Sequence, residues 1–390
     1  MKIAVVCDSF KGSLTSKDAC AAVKDGLLRC NKNFEVLSLP FADGGEGTSR
    51  CFYDILGGQI RKAAVHDPLL REITAEYTVL PDGTAVIDIA SASGLTLLKS
   101  SERDAVKVSS LGSGELICDA AEHGAKHIIL GLGGSATTDA GTGILYALGM
   151  RFFSEDGAEV LPDGQNMIRV KKIRRTENFE RFKDIKFTLA CDVTNPLCGE
   201  NGAAYVFSPQ KGASKNDVKL LDDGLRNIGE IFEKASGKKI INLPGAGAAG
   251  GIGGGLSAFL NCELQSGFDV LARAASLEDK IRRSDAVITG EGKTDRQTLF
   301  GKLPKRVSDI AEKFGVPCIL LSGDVENDIS AEKLGVCEIH KIKENGISLE
   351  HCMKNAASLL SEKAFAIGKD SKIINKQYSR KQEKMRENER

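Results

Sequence analysis

The sequence has no tryptophan, five histidines among its 390 residues and no surplus of either charge, since 53 Lys and Arg balance 53 Asp and Glu. A chain without net charge has no overall basic field to recruit nucleic acid, so no nucleic-acid partner is expected. None of the histidines lies in a glycine-rich loop, which argues against a histidine-based catalytic triad. No apolar run is long enough to cross a bilayer, so the sequence predicts no membrane association.

Disulfide and zinc signatures are also missing. The eleven cysteines are odd in number, and no two of them form a C-x-x-C pair. This pattern is typical of a protein with reduced, packed thiols rather than a disulfide scaffold or a structural zinc site. The first residues, "MKIAVVCD", reach a carboxylate after a short apolar run, which predicts a first strand rather than a signal peptide. The expected location is therefore cytoplasmic.

What the sequence does contain is a set of short apolar strands separated by helical segments at both ends of the chain. Residues 2–9 ("KIAVVCDS") and 34–40 begin this pattern, and residues 285–292, 318–324 and 338–342 continue it near the other end. Strands that are apolar without alternation are typical of a parallel sheet buried on both faces. We therefore predict an α/β fold in which both ends of the chain form one doubly wound parallel-sheet domain.

The middle of the chain has a different pattern. Three strand-like segments, "QIRKAAVHD", "EITAEYTVL" and "TAVIDIA", follow one another, and the "PDG" between the last two predicts a hairpin turn. The prediction is a parallel α/β domain of residues 1–58 and 285–368, with a mixed α/β domain of residues 59–284 inserted in it. Residues 369–390 are polar and basic, which predicts a disordered tail or a frayed helix. The junctions between the two domains would form a cleft for a small molecule.

The glycine-rich segment "GLGGSATTDAGTG" (131–143) lies between a predicted strand and a predicted helix. Backbone N–H groups at the start of a helix favour anions, and glycines let a phosphate approach the backbone closely. The alternative is a tight turn that only packs the helix against the strand. On the first interpretation the segment supplies phosphate- or substrate-binding residues: Gly133, Gly134, Ser135, Thr137 and Asp139.

Further segments place polar side chains where predicted strands end, and "SPQKGA" (208–213) follows one of them along the chain. Ligands in open parallel sheets bind beyond the carboxyl ends of the strands. For a single residue such as Asp8 the alternative is a cap on the following turn. Five such loops, at 7–14, 41–48, 131–143, 191–199 and 289–298, are hard to explain as turns alone. The candidates in these segments are Asp8, Lys11, Asp43, Asp192, Asn195, Gln210, Lys211, Glu291, Lys293, Asp295 and Arg296.

Acids, cations and glycine loops in this combination favour phosphoryl transfer. That reaction needs a positioned phosphate, a divalent cation on its oxygens, cationic side chains and a base for the attacking hydroxyl. Asp and Glu are hard ligands suited to Mg²⁺, and Lys and Arg bind phosphate or a substrate carboxylate.

Two common nucleotide-binding motifs do not account for these loops. "GKT" (292–294) resembles the end of a P-loop, but Val287 stands where that motif needs its first glycine. "GAGAAG" (245–250) matches the dinucleotide pattern G-x-G-x-x-G, but it follows "INLP", which is a poor strand end. A ligand-facing loop over residues 245–255, including Gly247, is the preferred interpretation. A nicotinamide-dependent oxidoreductase of a small hydroxy acid is the alternative.

Seven ordered motifs resemble those of the bacterial glycerate kinase type-1 family: "DSFKGSL", "ADGGEGT", "GLGGSATTDAGTG", "CDVTNPLCG", "SPQKGA", "PGAGAAGGIGGGL" and "TGEGKTDRQTLFGK". The resemblance extends over residues 1–368. It implies a two-domain α/β enzyme that uses ATP to phosphorylate D-glycerate, usually to 2-phosphoglycerate, and the acids at the strand ends add Mg²⁺ as the expected metal. Ser208 stands where the family pattern has glycine, and Lys293 stands where arginine is frequent.

Within that resemblance the candidate residues receive roles from their chemistry. Asp192 is the first candidate for the general base toward the glycerate hydroxyl, and Asp8 is the second. Lys11 and Lys211 would neutralise the transferring phosphate, and Arg296 would bind the glycerate carboxylate. Mg²⁺ would be held by one or more of three acids: Asp43, Glu291 and Asp295.

A non-catalytic two-domain protein that binds a small acid is a further alternative. So many acids at strand ends would repel an anionic ligand unless a cation were also present, which favours the kinase. A homo-oligomer is compatible with the sequence.

Overall fold

A computed structural model of the chain describes residues 1–42, 44–344 and 346–379. Within these ranges the chain divides into two compact units. The parallel-sheet unit comprises Met1–Asp43 and Leu271–Arg390, and the inserted unit comprises Gly44–Val270.

The strands are numbered along the chain. They are β1 (Lys2–Cys7), β2 (Glu35–Pro40), β3 (Gln59–His66), β4 (Glu72–Val79), β5 (Ala85–Asp88), β6 (His127–Gly131), β7 (Met150–Phe153), β8 (Lys172–Arg175), β9 (Lys186–Ala190), β10 (Asn261–Gln265), β11 (Ala286–Gly290), β12 (Lys293–Thr294), β13 (Cys318–Ser322), β14 (Asp324–Val325) and β15 (Glu338–Lys341).

The α-helices are numbered in the same way. They are α1 (Ser16–Cys30), α2 (Thr48–Leu56), α3 (Ala90–Ser93), α4 (Leu111–Glu122), α5 (Thr142–Ala147), α6 (Ala203–Phe207), α7 (Lys215–Ser236), α8 (Ala248–Phe259), α9 (Gly267–Ala274), α10 (Leu277–Arg282), α11 (Arg296–Leu299), α12 (Leu303–Lys313), α13 (Ala331–Leu334), α14 (Leu349–Lys354) and α15 (Ala356–Asp370). No described helix is both long enough and apolar enough to span a membrane.

The parallel-sheet unit has a five-stranded sheet in the order β15-β13-β11-β1-β2, and each neighbouring pair is parallel. Its strands are buried because helices cover the sheet, and Val5 packs in one core with Leu27 of α1 and Leu360 of α15. The chain passes from β1 to β2 on one side and from β11 to β13 on the other. The strand order therefore reverses between β1 and β11.

The inserted unit has a six-stranded mixed sheet in the order β10-β9-β6-β5-β4-β3. The first three neighbouring pairs are parallel, and β5–β4 and β4–β3 are antiparallel. Thr78 pairs with Val86 across the predicted hairpin, and Gly83 in its turn has a φ of 83°. The predicted α/β fold, with a doubly wound parallel sheet and a mixed α/β part inserted in it, is confirmed.

The division between the units falls after residue 43 and after residue 270. The sequence pattern places these boundaries after residues 58 and 284. Helix α2 belongs to the inserted unit, where the Ser49 hydroxyl donates to the Val86 carbonyl at 2.9 Å. Helix α10 belongs to the parallel-sheet unit, where Glu278 pairs with Lys313 of α12 at 3.0 Å. Contacts of single helices, which sequence patterns do not reveal, thus decide where the division falls.

The chain after α15 packs against the parallel-sheet unit. The Ser371 hydroxyl donates to Glu338 Oε1 at 2.9 Å, and Ile374 is fully buried in the core. The rings of Tyr378 and Phe34 meet edge-on with centroids 5.9 Å apart. The first part of the predicted tail is therefore anchored by apolar contacts, and residues 380–390 lie outside the described residues.

The glycine-rich stretch 245–255, predicted as a ligand-facing loop, is mostly buried and forms a turn and the first part of α8. Helix α8 has a kink at its start, where the three residues at 249–251 are left-handed and not helical. The Ala140 N–H donates to the Gly250 carbonyl at 3.0 Å, and the Gly247 N–H donates to the Asn195 carbonyl at 2.9 Å. Within the described residues no strand leads directly into this stretch, since β9 precedes it by way of α6 and α7. The strand–turn–helix context that a dinucleotide fingerprint requires is therefore absent here.

Candidate functional site

The candidates of the parallel-sheet unit gather at the carboxyl ends of β1 and β11. Cys7 pairs with Gly290 at the ends of these parallel neighbours, and the Asp8 N–H donates to the Gly290 carbonyl at 2.9 Å. Asp8 and Glu291 are therefore the next residues on adjacent strands. Because the strand order reverses here, this edge is where open α/β sheets form a ligand-binding crevice.

The loops that follow β1 and β11 lie directly against each other. A Cβ on Gly292 would stand 3.1 Å from Phe10 Cα and 3.2 Å from the Lys11 backbone nitrogen. These distances are shorter than ordinary van der Waals contacts, so a side chain at Gly292 would push the loops apart. The absence of a side chain at Gly292 therefore allows the backbone of Lys11 to lie beside the residues that follow β11.

Glu291 is a buried carboxylate at this edge, with 5% of its surface exposed. Its Oε1 accepts a hydrogen bond from the Thr298 hydroxyl at 2.7 Å. Burial raises the pKa of Glu291, and the charge of Asp295 adds to that rise, while Thr298 and Lys302 oppose it. Asp295 caps α11 by accepting from the Gln297 N–H at 2.8 Å, and Lys302 Nζ lies 3.4 Å from its Oδ1. Glu291, Asp295 and Lys302 thus form one charged cluster.

Two carboxylates of this cluster have the chemistry that Mg²⁺ prefers. In phosphoryl-transfer sites Mg²⁺ is held by one or two carboxylates together with the substrate phosphates and water. Glu291 and Asp295 repel each other electrostatically, and a bound cation would relieve that repulsion. Among the described residues no group of three or more His, Cys, Asp or Glu could hold a metal ion, and Asp43 lies outside them. The donor set therefore fits a cation that is shared with a phosphate ligand.

The cations near this edge differ in how they are paired. Lys293 Nζ lies 2.8 Å from Glu326, and Arg296 Nε lies 2.6 Å from Asp328. Lys11 is exposed and has no ion-pair partner in the part of the chain that the structure describes. Exposed ion pairs contribute little to stability, so a ligand could displace either pair at small cost, and Lys11 is available without displacement.

In the inserted unit, Lys211 is buried with 3% of its surface exposed. Its Nζ donates to the Ser135 hydroxyl at 2.9 Å and to the Thr137 carbonyl at 2.6 Å. Burial lowers the pKa of Lys211 to about 7, and the charge of Asp139 opposes that shift. The structure thus brings two predicted residues, Ser135 and Thr137, into contact with the buried ammonium of a third, Lys211.

Asp139 is fully buried behind the same loop. Its Oδ2 accepts from the Ser110 N–H at 2.9 Å and from the Ser110 hydroxyl at 2.7 Å, and its Oδ1 accepts from the Gly141 N–H at 3.1 Å. Burial raises the pKa of Asp139, and these hydrogen bonds oppose the rise. Asp139 therefore holds the loop to the start of α4, a role that suits a positioning residue.

Gly133 allows a close contact between two loops, whereas Gly134 is exposed. The Gly133 N–H donates to the Gly44 carbonyl at 3.0 Å, and a Cβ on Gly133 would stand 2.4 Å from Gly45 Cα. Gly134 is exposed and has a φ of 78°. The glycines at 133 and 45 thus let two backbones touch, which accords with the packing interpretation and leaves Gly134 open to solvent.

Asp88 is a residue of this region that the sequence analysis missed. It ends β5, with 5% of its surface exposed, and its carboxylate accepts from the Gly47 N–H at 2.9 Å and the Ser49 N–H at 3.0 Å. Burial raises the pKa of Asp88 to about 7, although both backbone hydrogen bonds oppose the rise. The signal in the sequence is the single acid inside the apolar strand "TAVIDIA". Asp88 anchors the start of α2 and the glycine loop before it.

The remaining candidates of the inserted unit are more dispersed. Asp192 is exposed and follows β9 after one residue. The Asn195 side chain donates to the Asn201 carbonyl at 2.9 Å, and the Asn195 carbonyl accepts from Gly247. Gln210 is exposed on the turn that carries Lys211.

Comparison with known proteins adds independent findings. A model of the glycerate kinase family matches residues 3–372. The chain is 38% identical over 364 residues to a glycerate kinase of Halalkalibacterium halodurans, covering 93% of this chain and 96% of that protein. It is 41% identical over 330 residues to the glycerate 2-kinase of Escherichia coli, covering 84% of this chain and 87% of that protein.

A solved structure gives the same result at the level of the fold. A crystal structure from Salmonella typhimurium LT2, provisionally assigned as glycerate kinase 2, matches with a TM-score of 0.84 and 35% identity. The match covers 94% of this chain and 97% of that one.

Proposed function

The chain belongs to the glycerate kinase family, and on that premise we propose that it transfers the γ-phosphoryl group of ATP to D-glycerate. The proposed acceptor is the 2-hydroxyl, since one relative is named glycerate 2-kinase. In this reaction the hydroxyl oxygen bonds to the γ-phosphorus, the bond from phosphorus to ADP breaks, and the hydroxyl proton passes to a carboxylate base.

The observation that supports the proposal best is the charged cluster at the ends of β1 and β11. Lys11 offers an ammonium that binds no carboxylate of the described residues, and ammonium groups bind phosphate by charge-assisted hydrogen bonds. Glu291 and Asp295 would hold Mg²⁺, which supplies positive charge to the phosphate oxygens. Lys293 would exchange Glu326 for a phosphate oxygen, and Arg296 would exchange Asp328 for the glycerate carboxylate.

The polar loop of the inserted unit has a proposed role in the same reaction. Lys211 holds the Ser135 hydroxyl and the Thr137 carbonyl in fixed positions. We assign the loop residues, with Gly133 and Gly134, to binding of substrate or phosphate, and Asp139 to positioning this loop from behind. A second set on other loops is assigned to the same binding role: Asn195, Gln210 and Gly247. A buried ammonium behind such a loop also makes its potential more positive, which favours an anionic ligand.

The assay that tests the function supplies ATP, Mg²⁺ and D-glycerate and identifies the products by ³¹P and ¹H NMR. We expect equal amounts of ADP and 2-phosphoglycerate. Phosphorylation at the 3-hydroxyl would overturn the acceptor position only. Absence of phosphoglycerate together with glycerate-dependent reduction of a nicotinamide cofactor would favour the oxidoreductase instead. Binding of glycerate with no turnover would favour the binding protein.

The general base is proposed to be Asp192, with Asp8 as the second candidate. Each follows a strand at the carboxyl edge of its own sheet. Asp192→Asn keeps the size of the side chain and removes the base, so kcat should fall by roughly 10²–10⁴ while KM for ATP changes little. Asp8→Asn is the comparison variant. A normal kcat for Asp192→Asn with a large loss for Asp8→Asn would transfer the role to Asp8.

The proposed partners are glycerate and ATP, and the proposed location is cytoplasmic. All eleven cysteines are free, which accords with a reducing compartment. Homo-oligomerisation stays an expectation from the sequence.

A further inference from the structure

A cavity of about 410 Å³ opens at the carboxyl edge of the parallel sheet. The loops after β1, β11, β13 and β15 line it on one side, and α14 with the first residue of α15 lines it on the other. Its walls include Phe10, Lys11, Lys293, Ile342, Leu349 and Met353. All these residues belong to the parallel-sheet unit.

We infer that this cavity binds the adenosine part of ATP, with the triphosphate directed to Lys11 in the crevice between β1 and β11. The inference rests on the proposed kinase function and adds the position of the nucleotide base. Sequence motifs gave no indication of that position, since neither the P-loop nor the dinucleotide pattern is satisfied.

Size and wall chemistry support a nucleoside. Small-molecule sites have volumes of about 300–1,000 Å³ and mostly apolar walls with a few polar groups. Phe10, Ile342, Leu349 and Met353 supply apolar surface for the two faces of a purine ring. Glycerate, with three carbons that all bear oxygen, has no apolar face to bury against such walls. The walls therefore suit the nucleotide rather than the acid.

The distribution of charge indicates at which end of the cavity the triphosphate would lie. Lys343 Nζ lies 2.6 Å from Asp324 Oδ2, and Lys293 is paired with Glu326. Of the lysines that line the cavity, only Lys11 has no ion-pair partner among the residues that the structure describes. Lys11 also lies on the loop after β1, beside the β11 loop. A triphosphate would therefore extend toward this loop and bring its terminal phosphate to the Glu291 and Asp295 carboxylates.

Helix α14 exposes apolar side chains at the cavity, and a bound ligand would cover this apolar surface. Leu349 is 59% exposed and Met353 is 39% exposed, although both line the cavity. The Ser13 hydroxyl donates to the Met353 carbonyl at 2.6 Å, which fixes α14 to the loop that carries Lys11. The position of this wall is thus tied to the position of the ammonium, as a site for one elongated ligand requires.

The test combines one variant with one label. Met353→Trp places a bulky ring at the cavity wall, and we expect KM for ATP to rise about tenfold or more while KM for glycerate changes less than about twofold. Leu220→Trp is the matched control, because Leu220 is 38% exposed on α7 of the inserted unit, and its KM values should equal those of the wild type. Photolabelling of the wild type with 8-azido-ATP should modify residues 10–13 or 342–356, and ATP should protect them.

The outcomes separate this inference from the proposed function. An active wild type whose label falls in the inserted unit would overturn the adenosine site and leave the kinase intact. An unchanged KM for ATP in a folded Met353→Trp protein would do the same. A wild type that forms no phosphoglycerate would overturn the function itself, whatever the label shows.

Discussion

Two ionisable residues of the inserted unit, Lys211 and Asp88, are buried, and burial favours the uncharged form of each. Burial lowers the pKa of Lys211 to about 7 and raises the pKa of Asp88 to about 7. Both groups therefore titrate near neutral pH, where an enzyme's acids, bases and phosphate-binding cations are often tuned. Each also holds a loop by hydrogen bonds, so its protonation state affects stability as well as chemistry.

Asp88 gives a prediction of pH-dependent stability. The folded protein keeps this proton up to about pH 7, whereas the unfolded chain releases it near pH 4. The stabilisation from this proton is thus fully present below about pH 4 and is lost as pH rises through about 7. We expect the unfolding free energy of the wild type, relative to Asp88→Asn, to fall by about 2.5 kcal/mol between about pH 5 and about pH 8. Urea denaturation at both pH values measures this difference.

The control for this prediction is an exposed acid of the same sheet. Glu76 on β4 is half exposed and pairs with Lys62 at 3.1 Å, and urea denaturation of Glu76→Gln at the same two pH values is the comparison measurement. A difference between wild type and Asp88→Asn that varies no more with pH than the Glu76→Gln difference would show that Asp88 ionises normally in the folded protein.

Among the strands, helices and turns, the sequence predicted those that a short local pattern of residues specifies. Apolar runs at 2–9 and 285–292 became β1 and β11, and the "PDG" turn joins β4 and β5. Asp8 and Glu291 could be placed near each other because they follow parallel strands, whose carboxyl ends share one edge. The neighbourhood of Lys211 with Ser135 and Thr137 was not predictable in detail, since 76 residues separate the Lys211 and Ser135 side chains along the chain.

Other elements depend on tertiary contacts that no local pattern reveals. The glycines at 245–255 predicted a loop, whereas the structure has a mostly buried turn and helix start there, because the lack of side chains lets backbone segments approach. The wall formed by α14 was missed for a related reason. Nothing in "LEHCMK" distinguishes a cavity wall from an ordinary amphipathic helix, and Met353 meets Ser13 across 340 positions of the chain.

At the scale of the whole molecule, the inserted unit has what an independent domain needs. Its six-stranded sheet and its main apolar core lie within Gly44–Val270. Its two ends also lie together, since a Cβ on Gly44 would stand 3.2 Å from Gly267 Cα. Adjacent ends are typical of a domain inserted into another, because the host chain then needs no long connection.

We therefore expect a fragment of residues 44–270 to fold alone. It should show one cooperative thermal transition by circular dichroism and no kinase activity, because it lacks the proposed phosphate- and Mg²⁺-binding residues: Lys11, Glu291 and Asp295. The matched fragment is 59–284, cut where the sequence pattern alone placed the boundary. It lacks α2, so the Asp88 carboxylate loses both backbone donors, and the sheet surface that the buried face of α2 covers becomes exposed to water. We expect this second fragment to melt at a lower temperature or to aggregate. Equal stability of the two fragments would show that α2 belongs energetically to the parallel-sheet unit, and a non-cooperative transition of both would show that neither unit is an independent domain.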